Sequence, residues 1–346
     1  MKNTKILLVS DGGVTSDLMK KMFILDKYGA KVTMIEEKDM FAMGDITDRM
    51  LQLEKGGVDA VPTCEPLLNA CMDKDIIVVH GSYINKEIIN ASKNLKVVAV
   101  LRDSYENADI EALTKRGIKL INAQWRSAYA VADFTVGMMI AANKNIAHSY
   151  KLICEGKWCK KYVNQEYIHD MRTCTVGIIG FGYIGRQVVQ RLSGFGSKII
   201  VYDPFMSPWD IAKAGYKPVT FEELLAQSDF VTVHMRLTEE TNKFIGEKEF
   251  SQMKTTAYFI NTSRAGIVDT NALIHALQRK SIGGAAIDVF DEEPLPSDSP
   301  LIKLDNVTLT SHLAGISCDT MLNSVEIVLD DLKKYMHELP MQNIRN

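Results

Sequence analysis

Short, nearly continuous apolar runs punctuate the first third of the chain: Lys5-Ile6-Leu7-Leu8-Val9, Lys31-Val32-Thr33-Met34-Ile35, Ile76-Ile77-Val78-Val79, Val97-Val98-Ala99-Val100 and Ile118-Lys119-Leu120-Ile121. Between them lie amphipathic stretches such as Asn85 to Ala91 and Ile110 to Arg116. Strands without a polar face, alternating with helices, are the pattern of a parallel sheet covered on both sides. The first 122 residues are therefore expected to form one α/β domain.

The segment 127–146 is apolar almost all round, as expected of a helix buried between two bodies. A polar, aromatic-spotted connector follows, and the strand-helix alternation restarts at Cys174. Strands are predicted at 175–179, 198–202, 230–234, 257–261, 285–289 and 307–310, and six strands suit a complete dinucleotide-binding sheet. A last helical stretch, 321–337, comes after that sheet is finished and is free to pack back on the first domain. The expected fold is α/β with two doubly wound parallel-sheet domains, 1–122 plus 314–346 and 123–313.

Composition supports this division. At 346 residues the chain has room for roughly two domains. Apolar residues make up 46% and charged residues 24%, an ordinary globular balance that argues against disorder. Forty basic against 43 acidic residues give a net charge of −3, which leaves no basic field for nucleic acid. No apolar run reaches the roughly 18 residues of a membrane span. The early run Ile6 to Val9 is stopped by Asp11 and is too short for a signal peptide, so a cytoplasmic location is expected. Six cysteines sit far apart with no zinc-ligand spacing, which reads as reduced thiols and no metal.

Gly180-Phe181-Gly182-Tyr183-Ile184-Gly185 directly follows a predicted strand and opens a predicted helix. Glycines in that setting allow a tight turn, close approach of backbone to a pyrophosphate, and close packing of helix on strand. The helix N-terminus, at Tyr183 and Ile184, then faces the anion. The next strand ends at Asp203, 18 residues after Gly185, where a carboxylate accepts ribose hydroxyls. Pro204 and Phe205 follow instead of a basic side chain, which favours NAD over NADP.

Three more residues stand at predicted strand ends of the same sheet: Arg264, Glu293 and His312. Each alone reads equally well as an ordinary loop residue. Beside a nicotinamide, however, they form a cation, a carboxylate and an imidazole. Reduction of a 2-oxo acid requires an anchor for the substrate carboxylate, which the planar guanidinium of Arg264 supplies. It also requires a proton donor with a pKa near neutrality, and His312 has a reference value of about 6.5. Glu293 fits the role of orienting that imidazole.

These motifs, with Tyr202-Asp203-Pro204-Phe205, Leu237-Thr238-Glu239-Glu240-Thr241, Asn261-Thr262-Ser263-Arg264-Ala265-Gly266, 288–294 and Ser311-His312-Leu313-Ala314-Gly315, resemble the D-isomer-specific 2-hydroxyacid dehydrogenases. That family includes D-3-phosphoglycerate dehydrogenases and hydroxypyruvate reductases. The likeness extends over roughly 75–330 and is densest from Gly177 to Gly315. It implies a Rossmann NAD domain, a flavodoxin-like substrate domain with a cleft between them, a small 2-hydroxy or 2-oxo acid as substrate, and a homodimer. It further implies Arg264 as anchor, His312 and Glu293 as acid-base pair, and Asp288 directed at the nicotinamide carboxamide.

Three places depart from the family: Gln124-Trp125 stand where Pro-Gly is common, Arg236 replaces a common proline, and the third bears on the substrate. Where a glycine-bearing loop usually offers backbone N–H groups to the substrate carboxylate, this chain has Arg102-Asp103-Ser104. An inward Asp103 would repel an anionic acid, whereas Arg102 would supply positive charge. Two other readings therefore stand beside the dehydrogenase: an NAD-sensing binding protein like the family's corepressors, and phosphite oxidation on the same scaffold.

Overall fold

The computed structural model describes residues 3–37, 57–58 and 62–346. The chain divides into two compact units, Met1–Ser127 with Ser317–Asn346, and Ala128–Ile316. Each is built on one parallel sheet.

In the first unit the strands are β1 (Thr4–Ser10), β2 (Ala30–Glu36), β3 (Ile76–Val79), β4 (Val97–Val100) and β5 (Lys119–Asn122), in the order β2-β1-β3-β4-β5. The unbroken apolar runs follow from burial of both faces. Ile6, Leu8, Ile76, Val78, Val97 and Ala99 face one core, into which the C-terminal helix Cys318–Met336 inserts Val325, Val328 and Leu332. Leu7, Val9, Ile77, Val79, Val98 and Val100 face the other, where Ile88 and Leu113 cover them. Each such fully buried Ile, Leu or Val side chain contributes about 1.5–3 kcal/mol. The C-terminal helix starts at Ser317, whose hydroxyl accepts the Thr320 N–H (3.1 Å).

The second unit has seven strands: β6 (Thr175–Ile179), β7 (Lys198–Tyr202), β8 (Lys217–Pro218), β9 (Phe230–Val233), β10 (Tyr258–Asn261), β11 (Gly284–Ile287) and β12 (Val307–Leu309). Their order is β12-β11-β10-β9-β6-β7-β8, with every pairing parallel. The six expected strands are present. The seventh, β8, is two residues long at the sheet edge, too short to register as an apolar run, and its proline is tolerated only at such an edge. Strand order reverses at β6, between β7 and β9, so the crevice at the carboxyl end of β6 is the switch point where this architecture takes its ligand.

The apolar segment expected as one helix over 127–146 is divided. A helix spans Ala128–Asn143, Asn145 turns left-handed at φ 55°, and a second helix runs Ile146–Cys154. Asparagine tolerates that conformation better than most residues. Here Asn164 fixes the break, accepting from Asn145 Nδ2 (2.7 Å) and donating to the Asn143 carbonyl (3.1 Å). Ala132, Val136, Met139 and Ala142 of the first helix pack on Val176, Ile178 and Val188.

Among the described residues no helix is long and apolar enough to cross a membrane. Nor do three or more His, Cys, Asp or Glu side chains among them gather as a metal site.

Candidate active site

The glycine loop leaves β6 through Gly180 at φ +91°. A side chain there would be strained, and its Cβ would lie 2.9 Å from the His234 carbonyl. A Cβ on Gly185 would overlap the Gly180 carbonyl oxygen, so the helix Tyr183–Ser193 can approach β6 only because that residue is bare. Gly182 differs from both. No atom lies within 4 Å of where its Cβ would be, so its bare face opens on free space.

Gly182 is the N-cap of that helix and supplies no side-chain cap. The amides of the first turn, with the positive end of the helix dipole, therefore face the loop. This cradle of open glycine and uncapped amides fits a pyrophosphate. Asp203, just beyond β7, accepts the Phe181 N–H on Oδ2 (2.7 Å) and the Phe205 N–H on Oδ1 (2.8 Å). It thereby ties the two strand ends together. A carboxylate offers about four lone-pair sites, so capacity for ribose hydroxyls is left. Gly180, Gly182, Tyr183, Ile184, Gly185 and Asp203 all belong to this one corner.

Two strands away, β10, β11 and β12 deliver the second group. His312 follows β12 in a left-handed backbone conformation (φ 55°), and its Nδ1 lies 2.7 Å from Glu293 Oε2. Glu293 is held in turn by the Phe290 N–H on Oε1 (2.9 Å). With Nδ1 committed to a carboxylate, Nε2 is the ring atom left to exchange a proton. Both side chains are partly exposed, 47% for His312 and 35% for Glu293, so the pair is reachable.

Asp288 is wholly buried one residue beyond β11. Its Oδ1 accepts the Thr310 hydroxyl (2.5 Å) and the Leu313 N–H (2.9 Å), and its Oδ2 the Ala314 N–H (2.9 Å). These donors bracket His312, so Asp288 fastens the turn that presents the imidazole. Arg264 follows β10, and its backbone is fixed by Asn261, whose amide donates to the Arg264 carbonyl (3.1 Å). The guanidinium itself is exposed and donates to the Ser263 carbonyl (2.8 Å). The structure thus joins His312 to Glu293, while no hydrogen bond among the described residues links Arg264 to either.

The substrate-loop candidates lie in the first unit. Asp103 is engaged locally, accepting from the Ser127 hydroxyl (2.9 Å) on Oδ2, with Arg126 Nε 3.7 Å from the same oxygen. Arg126 also donates to the Leu101 carbonyl (2.9 Å) and the Ser324 hydroxyl (3.2 Å). Arg102 is half-buried, and burial lowers its pKa while Glu106, Tyr83, Asp11 and Asp103 counteract. Ser104 is half-buried.

The motifs left several polar contacts unread. Asp11 takes His80 Nδ1 on both oxygens (3.1 Å each) and the Gly13, Val14 and Gly81 amides. Burial alone would raise its pKa, but His80 and these amides hold it below the usual carboxylate range. The residues are 69 positions apart, so no local spacing announces the pair. His275 also has an unforeseen neighbour, Glu247 (3.4 Å), on the surface. His234 shares a hydrogen bond with Thr232 (3.0 Å), and burial holds its pKa down to about 3, so it stays neutral.

Comparison with known proteins bears on this geometry. Residues 136–314 match the family model described as D-isomer specific 2-hydroxyacid dehydrogenase, NAD binding domain. A glyoxylate reductase from Korarchaeum cryptofilum is 37% identical over 79% of this chain and 83% of its own length. A D-3-phosphoglycerate dehydrogenase from Archaeoglobus fulgidus is 36% identical over 78% of this chain, which spans about half (51%) of that longer protein. Among solved structures, a glyoxylate reductase from Paecilomyes thermophila superposes with a TM-score of 0.73 at 26% identity, covering 99% of this chain and 98% of that one. By sequence, by fold and by the glycine loop, the chain belongs to the D-isomer specific 2-hydroxyacid dehydrogenases, a family of NAD-dependent oxidoreductases, and carries its NAD-binding domain.

Proposed function

We propose that this protein interconverts a small D-2-hydroxy acid and its 2-oxo acid with NAD(H), in the cytoplasm. The contact between His312 Nδ1 and Glu293 Oε2 at 2.7 Å carries the reading, because a carboxylate-oriented imidazole at a strand end is what proton transfer to a carbonyl needs. Bound NAD(H) supplies or accepts the hydride. His312 Nε2 gives a proton to the carbonyl oxygen during reduction and takes one from the hydroxyl during oxidation. Glu293 keeps the ring in the tautomer with Nδ1–H.

Arg264, whose exposed guanidinium has donors beyond the one used on Ser263, anchors the substrate carboxylate as a planar fork. Asp288, which has no exposed surface, serves the pair by holding the His312 turn rather than by meeting the nicotinamide carboxamide directly. In the first unit, the engagement of Asp103 by Ser127 and Arg126 offsets its negative charge, and Arg102 supplies a cation to the substrate loop with Ser104. A homodimer accords with this reading. The helix Ile146–Cys154 has no buried residue and turns Ile146, Tyr150 and Ile153 outward at helical spacing.

The direct test is NADH oxidation at 340 nm against glyoxylate, hydroxypyruvate, pyruvate and longer 2-oxo acids. Turnover on at least one is expected, with His312→Asn lowering kcat by about 10²-fold or more while NADH still binds. NADH binding without turnover on any acid would favour a sensor instead. Asp288→Asn leaves an amide facing backbone N–H groups. Hydrogen exchange at the Leu313 and Ala314 amides should quicken and kcat should fall together; unchanged exchange would remove Asp288 from the positioning role. Asp203→Ala should narrow the preference for NADH over NADPH, and a constant ratio would speak against a ribose contact. Sedimentation velocity should show a dimer, with Tyr150→Glu shifting it toward monomer; a monomeric wild-type protein would refute that assembly.

A further inference from the structure

Tyr129 lies outside the cofactor fingerprint, in the first turn of the helix Ala128–Asn143. Its hydroxyl nevertheless meets that of Tyr183 at 3.1 Å, and the two rings stand edge to face with centroids 6.2 Å apart. Tyr183 is the first residue of the helix that opens on the glycine loop, adjacent to the bare face of Gly182.

Tyr129 is itself held in place. Arg191, two turns along the helix from Tyr183, donates to the Tyr129 carbonyl (3.4 Å) and sets its guanidinium carbon 5.7 Å from the Tyr129 ring centre. The same guanidinium pairs through Nε with Asp133, one turn beyond Tyr129. Two helices are thus laced together at Asp133, Arg191, Tyr129 and Tyr183, and the lacing ends at the anion-binding turn. The hydroxyl contact, together with burial, pushes the Tyr183 phenol up to about 12, so it remains a neutral hydrogen-bonding group at working pH.

We propose that Tyr129 is a positioning residue for the cofactor's pyrophosphate. By holding the Tyr183 side chain, it fixes the first turn of the anion-binding helix and keeps the approach over Gly182 clear. Ordering these groups before the ligand arrives removes part of the entropic cost of binding. The inference rests on the glycine loop taking the pyrophosphate of NAD.

Calorimetric titration of the whole protein with NADH, ADP and adenosine tests it. Tyr129→Phe keeps the ring and deletes the hydroxyl. NADH and ADP should bind about three- to tenfold more weakly, the worth of one neutral hydrogen bond, while adenosine, which has no phosphate, is unaffected. KM for NADH should rise with little change in kcat, and the melting temperature should fall by no more than about 2–4 °C. The double variant Tyr129→Phe/Tyr183→Phe should lose no more than Tyr183→Phe alone. Unaltered ADP binding, an equal loss for adenosine, additive losses, or a melting temperature lowered by more than about 2–4 °C would each overturn the proposal. Wild-type protein that binds adenosine but neither ADP nor NADH would instead sink the cofactor reading beneath it.

Discussion

A carboxylate removed from water costs several kcal/mol unless donors replace its hydration. Asp288 has no exposed surface, and a hydroxyl and two backbone amides take the place of solvent around it. Those donors come from Thr310, Leu313 and Ala314, the residues on either side of His312, so the requirement to satisfy one buried charge dictates the path of the chain that carries the imidazole. The left-handed backbone of His312 is unfavourable for most side chains, and the Asp288 contacts hold it there. Glu293 then needs only a single hydrogen bond from Phe290 to meet the ring. The acid-base pair is therefore the outer layer of an arrangement whose inner layer is Asp288.

The cofactor corner is governed by sterics instead of charge. Gly180 and Gly185 are bare because the backbone passes within contact distance of itself, whereas Gly182 is bare toward open space. The first two glycines shape the turn, and the third leaves room for a ligand. All of this happens at the carboxyl ends of parallel strands, where helix N-termini and strand ends necessarily meet. The acid-base residues share that edge because β10, β11 and β12 run in the same direction as β6.

In the first unit, one side chain that departs from the family's glycines, Asp103, has been absorbed by its surroundings. Asp103 is paired with Ser127 and Arg126, and Arg126 reaches in addition to Leu101 and the C-terminal helix at Ser324. A carboxylate with such partners does not present an unopposed charge. The substitution that looked most hostile to an anionic substrate is thereby moderated within its own unit.

Strand and helix positions were legible from sequence because burial on both faces of a parallel sheet leaves an unbroken apolar run, as in Ile76 to Val79 and Val97 to Val100. The cofactor fingerprint was legible because steric demands for glycine act over six adjacent residues, from Gly180 to Gly185. The two-residue strand β8 and the break at Asn145 were not, since one is shorter than any pattern and the other depends on Asn164, nineteen positions away. Nor were Tyr129 against Tyr183, His80 against Asp11, and the Asp288 clamp on the His312 turn. Local sequence records backbone geometry and burial, which act on neighbouring residues. Hydrogen bonds between distant side chains are chosen only when the sheets bring their strand ends together, and that choice belongs to the tertiary structure.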